Sequence, residues 1–332
     1  MRISEKIVLS KDLIKVLLFK KRMPLVVGWN ITYRCNLKCT YCEYWNRDAE
    51  ELSLERRFHL IEELASLGTK VIILSGGEPL LVKDLDLIID LCKKKNMYVV
   101  ISTNGTLIKT HFKIIENCDE VNLSLDGPRD INDLARGVGV YDKVIEAIEI
   151  LNSKQKKIVL TTVISKYNVN HLSHMLKIAS KYKIGVYFQP AGKRASGKKP
   201  NEFLDLYGPY QKQYMCAISY LINEKRRGNR FIKNSLQSLG RFYDRGNMRK
   251  IRCPVYLYSC IMEPGGKIFT CDMSPGYPKG LVSINKGFKE AFESLQPLKC
   301  DGKQCNAKMA ELNLLSGFNL NMIKQIFKNR IW

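Results

Sequence analysis

Six apolar segments alternate with helix-patterned ones over the first 190 residues, and this alternation narrows the possible folds more than any other feature of the chain. Residues 25–31 (LVVGWNI), 70–74 (KVIIL), 98–102 (YVVIS), 121–125 (VNLSL), 158–164 (IVLTTVI) and 184–189 (IGVYFQ) read as strands. Helical periodicity fills residues 54–67, 84–95, 107–117, 141–153 and 169–182, and Gly68 is a good stop for the first of these. Strands this rich in Val, Ile and Leu are buried on both faces, which is the habit of parallel sheets covered by helices. Repeated strand–helix units with short connections give an α/β fold. Such folds put their chemistry in loops at the carboxyl ends of the strands.

The loops bear this out as a pattern. Cys35, Cys39 and Cys42 follow the first strand, and Ser75-Gly76-Gly77-Glu78-Pro79 follows the second. Thr103-Asn104-Gly105-Thr106 follows the third and Asp126-Gly127-Pro128 the fourth. The unusual residues therefore converge on one end of the expected sheet.

Eleven cysteines need an explanation. A start of MRISEKIVLSKDLIKVLLFKKR has too short an apolar part and the wrong flanks for a signal peptide, and no apolar run approaches a membrane span. A cytoplasmic protein is expected, so an odd number of thiols points to metal ligation rather than disulfides. Cys92, Cys118 and Cys216 stand alone and read as packing residues. Cys35, Cys39 and Cys42 lie within eight residues with no fourth Cys or His in the next dozen, which argues against structural zinc. Three thiolates on a four-iron cube leave one iron open to a small molecule, so a catalytic iron–sulfur site is expected.

Cys-x3-Cys-x2-Cys with Tyr41 before the last cysteine resembles the signature of the radical S-adenosylmethionine (SAM) superfamily, and the resemblance extends over the whole first domain. It implies a partial (β/α)6 TIM-like barrel, a [4Fe-4S] cluster on Cys35, Cys39 and Cys42, and reductive cleavage of SAM to a 5′-deoxyadenosyl radical. Gly76-Gly77-Glu78 resembles the family's GGE motif, whose backbone and Glu hold the SAM amino group. By the same likeness Tyr41 lies beside the adenine, Asn104 in the pocket, and Ser124 and Arg136 against SAM. A reductant such as flavodoxin or ferredoxin is implied as partner.

A second cysteine group, Cys253, Cys260, Cys271, Cys300 and Cys305, surrounds a turn at residues 263–267 between two apolar stretches, where a hairpin is expected. Cys253-x12-Gly266-x4-Cys271 resembles the opening of the SPASM and twitch extensions. That likeness implies an auxiliary [4Fe-4S] cluster on Cys253, Cys271, Cys300 and Cys305 in a C-terminal α+β unit, with Cys260 the spare. A structural zinc site is the alternative. The expected divisions are an N-terminal segment (1–24), the barrel (25–190), a basic helical linker (191–249), the auxiliary-cluster unit (250–310) and an amphipathic helix (311–332).

Net charge is +22, from 54 Lys and Arg against 32 Asp and Glu, and residues 193–252 hold 15 of the basic and 4 of the acidic groups. This is either a solvated surface or a face for an anionic partner. With the basic tail, which sets Met322, Ile323, Ile326 and Phe327 on one face, it favours an anionic or membrane-associated substrate, and a peripheral membrane position is a second reading of localisation. No interleaved aromatic RNA-recognition pattern is present, so nucleic acid is not the expected partner. A peptide maturase working with a separate leader-binding protein is the alternative, because only 24 residues precede the first strand. A non-catalytic iron–sulfur carrier is the rival of another class, though a carrier has no use for a GGE motif.

Overall fold

In the computed structural model of the chain, residues 3–191, 211–243, 251–271, 281–300 and 311 are described. In chain order the elements are α1 (Ile3–Phe19), β1 (Val26–Thr32), α2 (Leu54–Ser66), β2 (Val71–Gly76), α3 (Leu85–Lys94), β3 (Tyr98–Thr103), α4 (Ile108–His111), β4 (Glu120–Ser124), α5 (Arg129–Arg136), α6 (Val140–Ser153), β5 (Lys157–Ile164), α7 (Leu172–Tyr182) and β6 (Gly185–Pro190). They continue with α8 (Gln211–Arg226), α9 (Leu236–Tyr243), β7 (Ile251–Cys253), β8 (Ser259–Met262), β9 (Ile268–Phe269), α10 (Phe288–Ser294) and β10 (Leu298–Cys300).

The main sheet has eight strands in the order β6-β5-β4-β3-β2-β1-β8-β9. All neighbours are parallel except the β8–β9 hairpin. The six expected strands are thus present and parallel, as an α/β fold requires. The expected hairpin is present as well, but its first strand adds to the main sheet beside β1.

Alternation along each strand divides the sheet into two unlike faces. Val27, Trp29 and Ile31 of β1, Ile72 and Leu74 of β2, Val99 and Ile101 of β3, and Val121 and Leu123 of β4 point outward into one apolar core with α2, α3, α6 and α7. The inner face differs along its length. At the amino ends, Val26, Val71, Tyr98 and Val100 are covered by Leu9, Leu13 and Val16 of α1 and by Val255, Leu257 and Tyr258. Further along, Ile73, Ser75, Ser102, Ser124 and Thr161 are only half-buried. Water reaches the centre of a wide sheet only if the inner face borders a hollow, so this is a curved sheet with an open lumen above a plugged floor.

Two expectations for local structure change. The helix expected over 107–117 is a four-residue helix followed by a 3-10 turn at Phe112–Ile115. Thr110 Oγ1 bonds back to the Leu107 carbonyl at 3.2 Å, which weakens a helix already poor in good helix formers. Residues 129–136, outside the helix-patterned segments of the sequence, form α5, which Gly137 ends at φ 123°. Residues 192–210 and 244–250 of the linker expected over 191–249, Cys305, and all but Glu311 of the tail helix expected over 311–332 lie outside the described residues.

Candidate functional site

The glycines of β2 explain why the first two strand ends meet. A Cβ on Gly76 would sit 2.1 Å from the Thr32 carbonyl oxygen, and one on Gly77 2.2 Å from that of Arg34 and 2.5 Å from that of Tyr33. Only glycine allows this approach. It lets Gly77 N–H donate to Thr32 O and Glu78 N–H to Arg34 O, each at 2.8 Å. The start of the cysteine loop is thereby bonded to the end of β2. Glu51 braces the same corner, accepting from Thr32 Oγ1 at 2.6 Å, Arg34 Nε at 3.1 Å and Arg57 Nη2 at 2.9 Å. Burial raises the pKa of Glu51, but these hydrogen bonds outweigh it and the net shift is downward.

Glu78 is fully buried and ties β2 to β3. Its carboxylate accepts from Thr103 Oγ1 at 2.7 Å, Asn104 N at 2.8 Å and Leu80 N at 3.2 Å. Burial raises its pKa to about 7 against these bonds. Three donors leave one of about four lone-pair positions for any further group. Asn104 then reaches the cysteine loop: its Nδ2 donates to Asn36 Oδ1 at 2.9 Å and lies 3.9 Å from Cys35 Sγ.

The far side of the loop is held by the fourth strand end. Asp126, 2% exposed, accepts from Arg136 Nε at 2.8 Å, from the Tyr41 hydroxyl and, at 2.9 Å, from Val163 N. Arg136 lies 5.6 Å from the centre of the Tyr41 ring. Thr40 N donates to Ala135 O at 2.9 Å, so the loop between Cys39 and Cys42 is bonded to α5 by backbone as well as side chains. Ser124 ends β4 on the inner face, opposite Thr161.

Cys35, Cys39 and Cys42 are all half-buried at this mouth. Burial raises the Cys39 thiol to about 11; the nearby Arg136 charge pulls it down, while Cys42, Cys35 and Asp126 push it up. Burial likewise raises Cys35, with Glu78 and Cys42 adding to the rise. Three thiols that repel one another as thiolates fit a strongly cationic ligand, whose binding displaces their protons. No three His, Cys, Asp or Glu side chains among the described residues converge as they would on a single metal ion.

The second cysteine group is only partly described. Cys253 is buried at the end of β7, Cys271 is half-buried after β9, and Cys300 ends β10. β7 and β10 form an antiparallel ribbon in which Cys253 faces Leu298 and Cys300 faces Ile251. Cys260 is fully buried opposite Val27, on the apolar side of β8, and burial alone raises its thiol far above the usual range. Cys92 and Cys118 are buried as the packing reading requires, whereas Cys216 is exposed.

Sequence reasoning missed Glu51, Asn36 and Glu263, and singled out Asp126 only as part of a turn. Tyr33 stacks on Tyr44 at 5.1 Å and donates to Glu263 at 2.9 Å, and Leu52 N donates to Pro264 O at 3.1 Å. The turn of the β8–β9 hairpin is therefore docked on the cysteine loop. No local pattern marks such long-range partners.

Residues 29–179 match the Radical SAM superfamily model. The chain is 40% identical over 176 residues to Fe-coproporphyrin III synthase of Methanosarcina barkeri, an alignment covering 51% of this chain and 44% of that protein. It is 27% identical over 281 residues to mycofactocin maturase MftC of Mycolicibacterium smegmatis, covering 81% and 70%. Its fold resembles that of Streptococcus suis SuiB bound to precursor peptide SuiA, with TM-score 0.67, 17% identity and coverage of 85% and 67%. The triad at one strand end, the glycine-packed second strand end and the matched model agree: residues 29–179 form a radical SAM domain.

Proposed function

We propose that this chain is a SAM-cleaving enzyme whose site is the mouth of the lumen, with Cys35, Cys39 and Cys42 holding a [4Fe-4S] cluster. The observation that carries the reading is the bonding of one cysteine loop to the carboxyl ends of β2, β3 and β4 at once, through Arg34 O, Asn36 and the Tyr41 hydroxyl. When bound, cluster and SAM supply one-electron cleavage to a 5′-deoxyadenosyl radical, which removes a hydrogen atom from substrate. The protein fixes geometry and excludes water. Glu78 and Asn104 set the Cys35 side, and Asp126, Arg136 and Tyr41 set the Cys39 side. Tyr41, Gly76, Gly77, Glu78, Asn104, Ser124 and Arg136 surround the SAM position, with Glu78 and Arg136 acting largely through the loop they hold. Electrons come from a flavodoxin- or ferredoxin-like donor.

An auxiliary cluster on Cys253, Cys271, Cys300 and Cys305 completes the reading. It is supported by the docking of the hairpin beside Cys253 and Cys271 onto the SAM-cluster loop. The structural neighbour SuiB, bound to a precursor peptide, makes a peptide the first substrate class to test. The test is anaerobic reconstitution with iron and sulfide, then SAM and dithionite, with 5′-deoxyadenosine measured. Failure of a fully loaded protein to form it sinks the enzymatic reading in favour of an electron carrier. Iron and sulfide counts on Cys35→Ala/Cys39→Ala/Cys42→Ala protein test the second cluster: about four irons are expected, and none would refute it.

A further inference from the structure

The strand registers place four neutral polar side chains in one row across the lumen. Asn30 of β1 is paired with Ser75 of β2, and Ser102 of β3 with Asn122 of β4. Leu74 is paired with Ile101, so Ser75 and Ser102 are neighbours as well. The row lies one or two residues below the strand ends that carry the cysteine loop, a drop of roughly 3–7 Å. Ser75 and Ser102 are half-exposed in the centre of the sheet.

Asn122 has unused hydrogen-bonding capacity. It is 5% exposed, and among the described residues its Nδ2 makes only a long 3.4 Å contact to Ser102 Oγ and its buried Oδ1 has no partner. Exchanging the amide oxygen and nitrogen leaves the other end unpaired instead. A buried amide with one end unsatisfied costs about 1–3 kcal/mol unless a ligand or water completes it. Just below, Glu120 and Lys157 pair at 2.5 Å and Tyr98 bonds to both, so these two opposite charges offset one another.

We infer that this row is a substrate subsite for an uncharged group that both donates and accepts hydrogen bonds, and that its ligand is a peptide amide. The inference rests on the SAM-cleaving reading and adds the substrate class. A polyanion entering here meets no uncompensated cation in the row and loses its hydration, which is expensive. An amide N–H satisfies Asn122 and its carbonyl accepts from a serine hydroxyl.

The test supplies reconstituted enzyme, SAM and reductant with tryptic peptides from fully deuterated protein. Parallel reactions contain deuterated anionic phospholipid vesicles or a deuterated tetracarboxylate porphyrin. Abstraction of substrate deuterium appears as monodeuterated 5′-deoxyadenosine. Peptides are expected to label the product. Asn122→Leu is expected to lower the labelled fraction at least fivefold at unchanged iron content, and Asn122→Ala serves if the leucine variant does not fold. Label from the lipid or porphyrin but not from peptides, unlabelled product in every arm, or a labelled fraction unchanged in the variants overturns the inference. Absence of any 5′-deoxyadenosine defeats instead the reading on which it rests.

Discussion

Gly77→Ala tests whether the packing of two strand ends sets the cluster site. The added methyl group would lie 2.2 Å from Arg34 O, 2.5 Å from Tyr33 O and 2.7 Å from Arg34 C. All three are backbone atoms, so no side chain can rotate away. Contacts below 3.0 Å do not persist, and the strand ends must part by at least about 0.8 Å. That separation stretches the 2.8 Å bonds from Gly77 N to Thr32 O and from Glu78 N to Arg34 O. Two backbone hydrogen bonds are worth roughly 1–3 kcal/mol together, and overpacking adds about 1–3 kcal/mol. The expected loss is therefore about 2–6 kcal/mol, concentrated next to Cys35. The assay is urea unfolding together with iron content after reconstitution. Gly240→Ala is the control: it lies within α9 with nothing within 4 Å of the new methyl, and helix propensity predicts a gain of up to about 1 kcal/mol. A Gly77→Ala protein with wild-type stability and full iron content would refute the packing account of this corner.

Asp126→Asn leaves the buried Arg136 charge without its partner and is expected to cost about 3–5 kcal/mol, with reduced iron retention, read by thermal unfolding and iron assay. Glu78 has a folded pKa of about 7 against an ordinary 4.5, so its contribution to stability is full below 4.5 and is lost as pH rises through 7. Urea midpoints of the wild type should therefore fall between pH 5 and 8, by of order 3 kcal/mol, and Glu78→Gln should flatten that slope. Cys260→Ala should keep the iron content of the wild type while costing about 1 kcal/mol in unfolding, whereas Cys35→Ala, Cys39→Ala or Cys42→Ala should each lose the SAM cluster.

The six central strands were legible because their sequences are apolar on both faces and bounded by turn residues. The strand-end motifs were legible because glycines and cysteines are scarce enough to stand out. α5 was not, because RDINDLAR carries only Ile131, Leu134 and Ala135 as apolar residues and its stability comes from Asp126, Asn132 and the loop it holds. The bonds of Glu51 to Thr32 and Arg34 span 19 and 17 residues and that of Glu263 to Tyr33 spans 230, and no local periodicity encodes them. The placement of β8 beside β1 was hidden for the same reason: its four residues could sit on any parallel edge. Asn122 was visible only as one letter of a strand, and its meaning came from the register that puts Ser102 beside it.

The basic excess and the lumen then address different questions. Lys212, Arg226, Arg227 and Arg230 are exposed on α8 and the turn after it, and α8 packs its Tyr214, Ile218 and Leu221 against the outer core. These charges lie on the helix-covered side of the sheet, and salt screens exposed charges beyond about 8–10 Å. The row inside the lumen has no net charge, and Glu120 and Lys157 below it offset one another. Attraction of an anionic surface or partner to the outside would raise the rate of encounter without selecting the group that reaches the radical. Any affinity for acidic vesicles or polyanions that these four charges confer would therefore be a property of the outer surface, and only a substrate that satisfies Asn122 answers the question posed by the site.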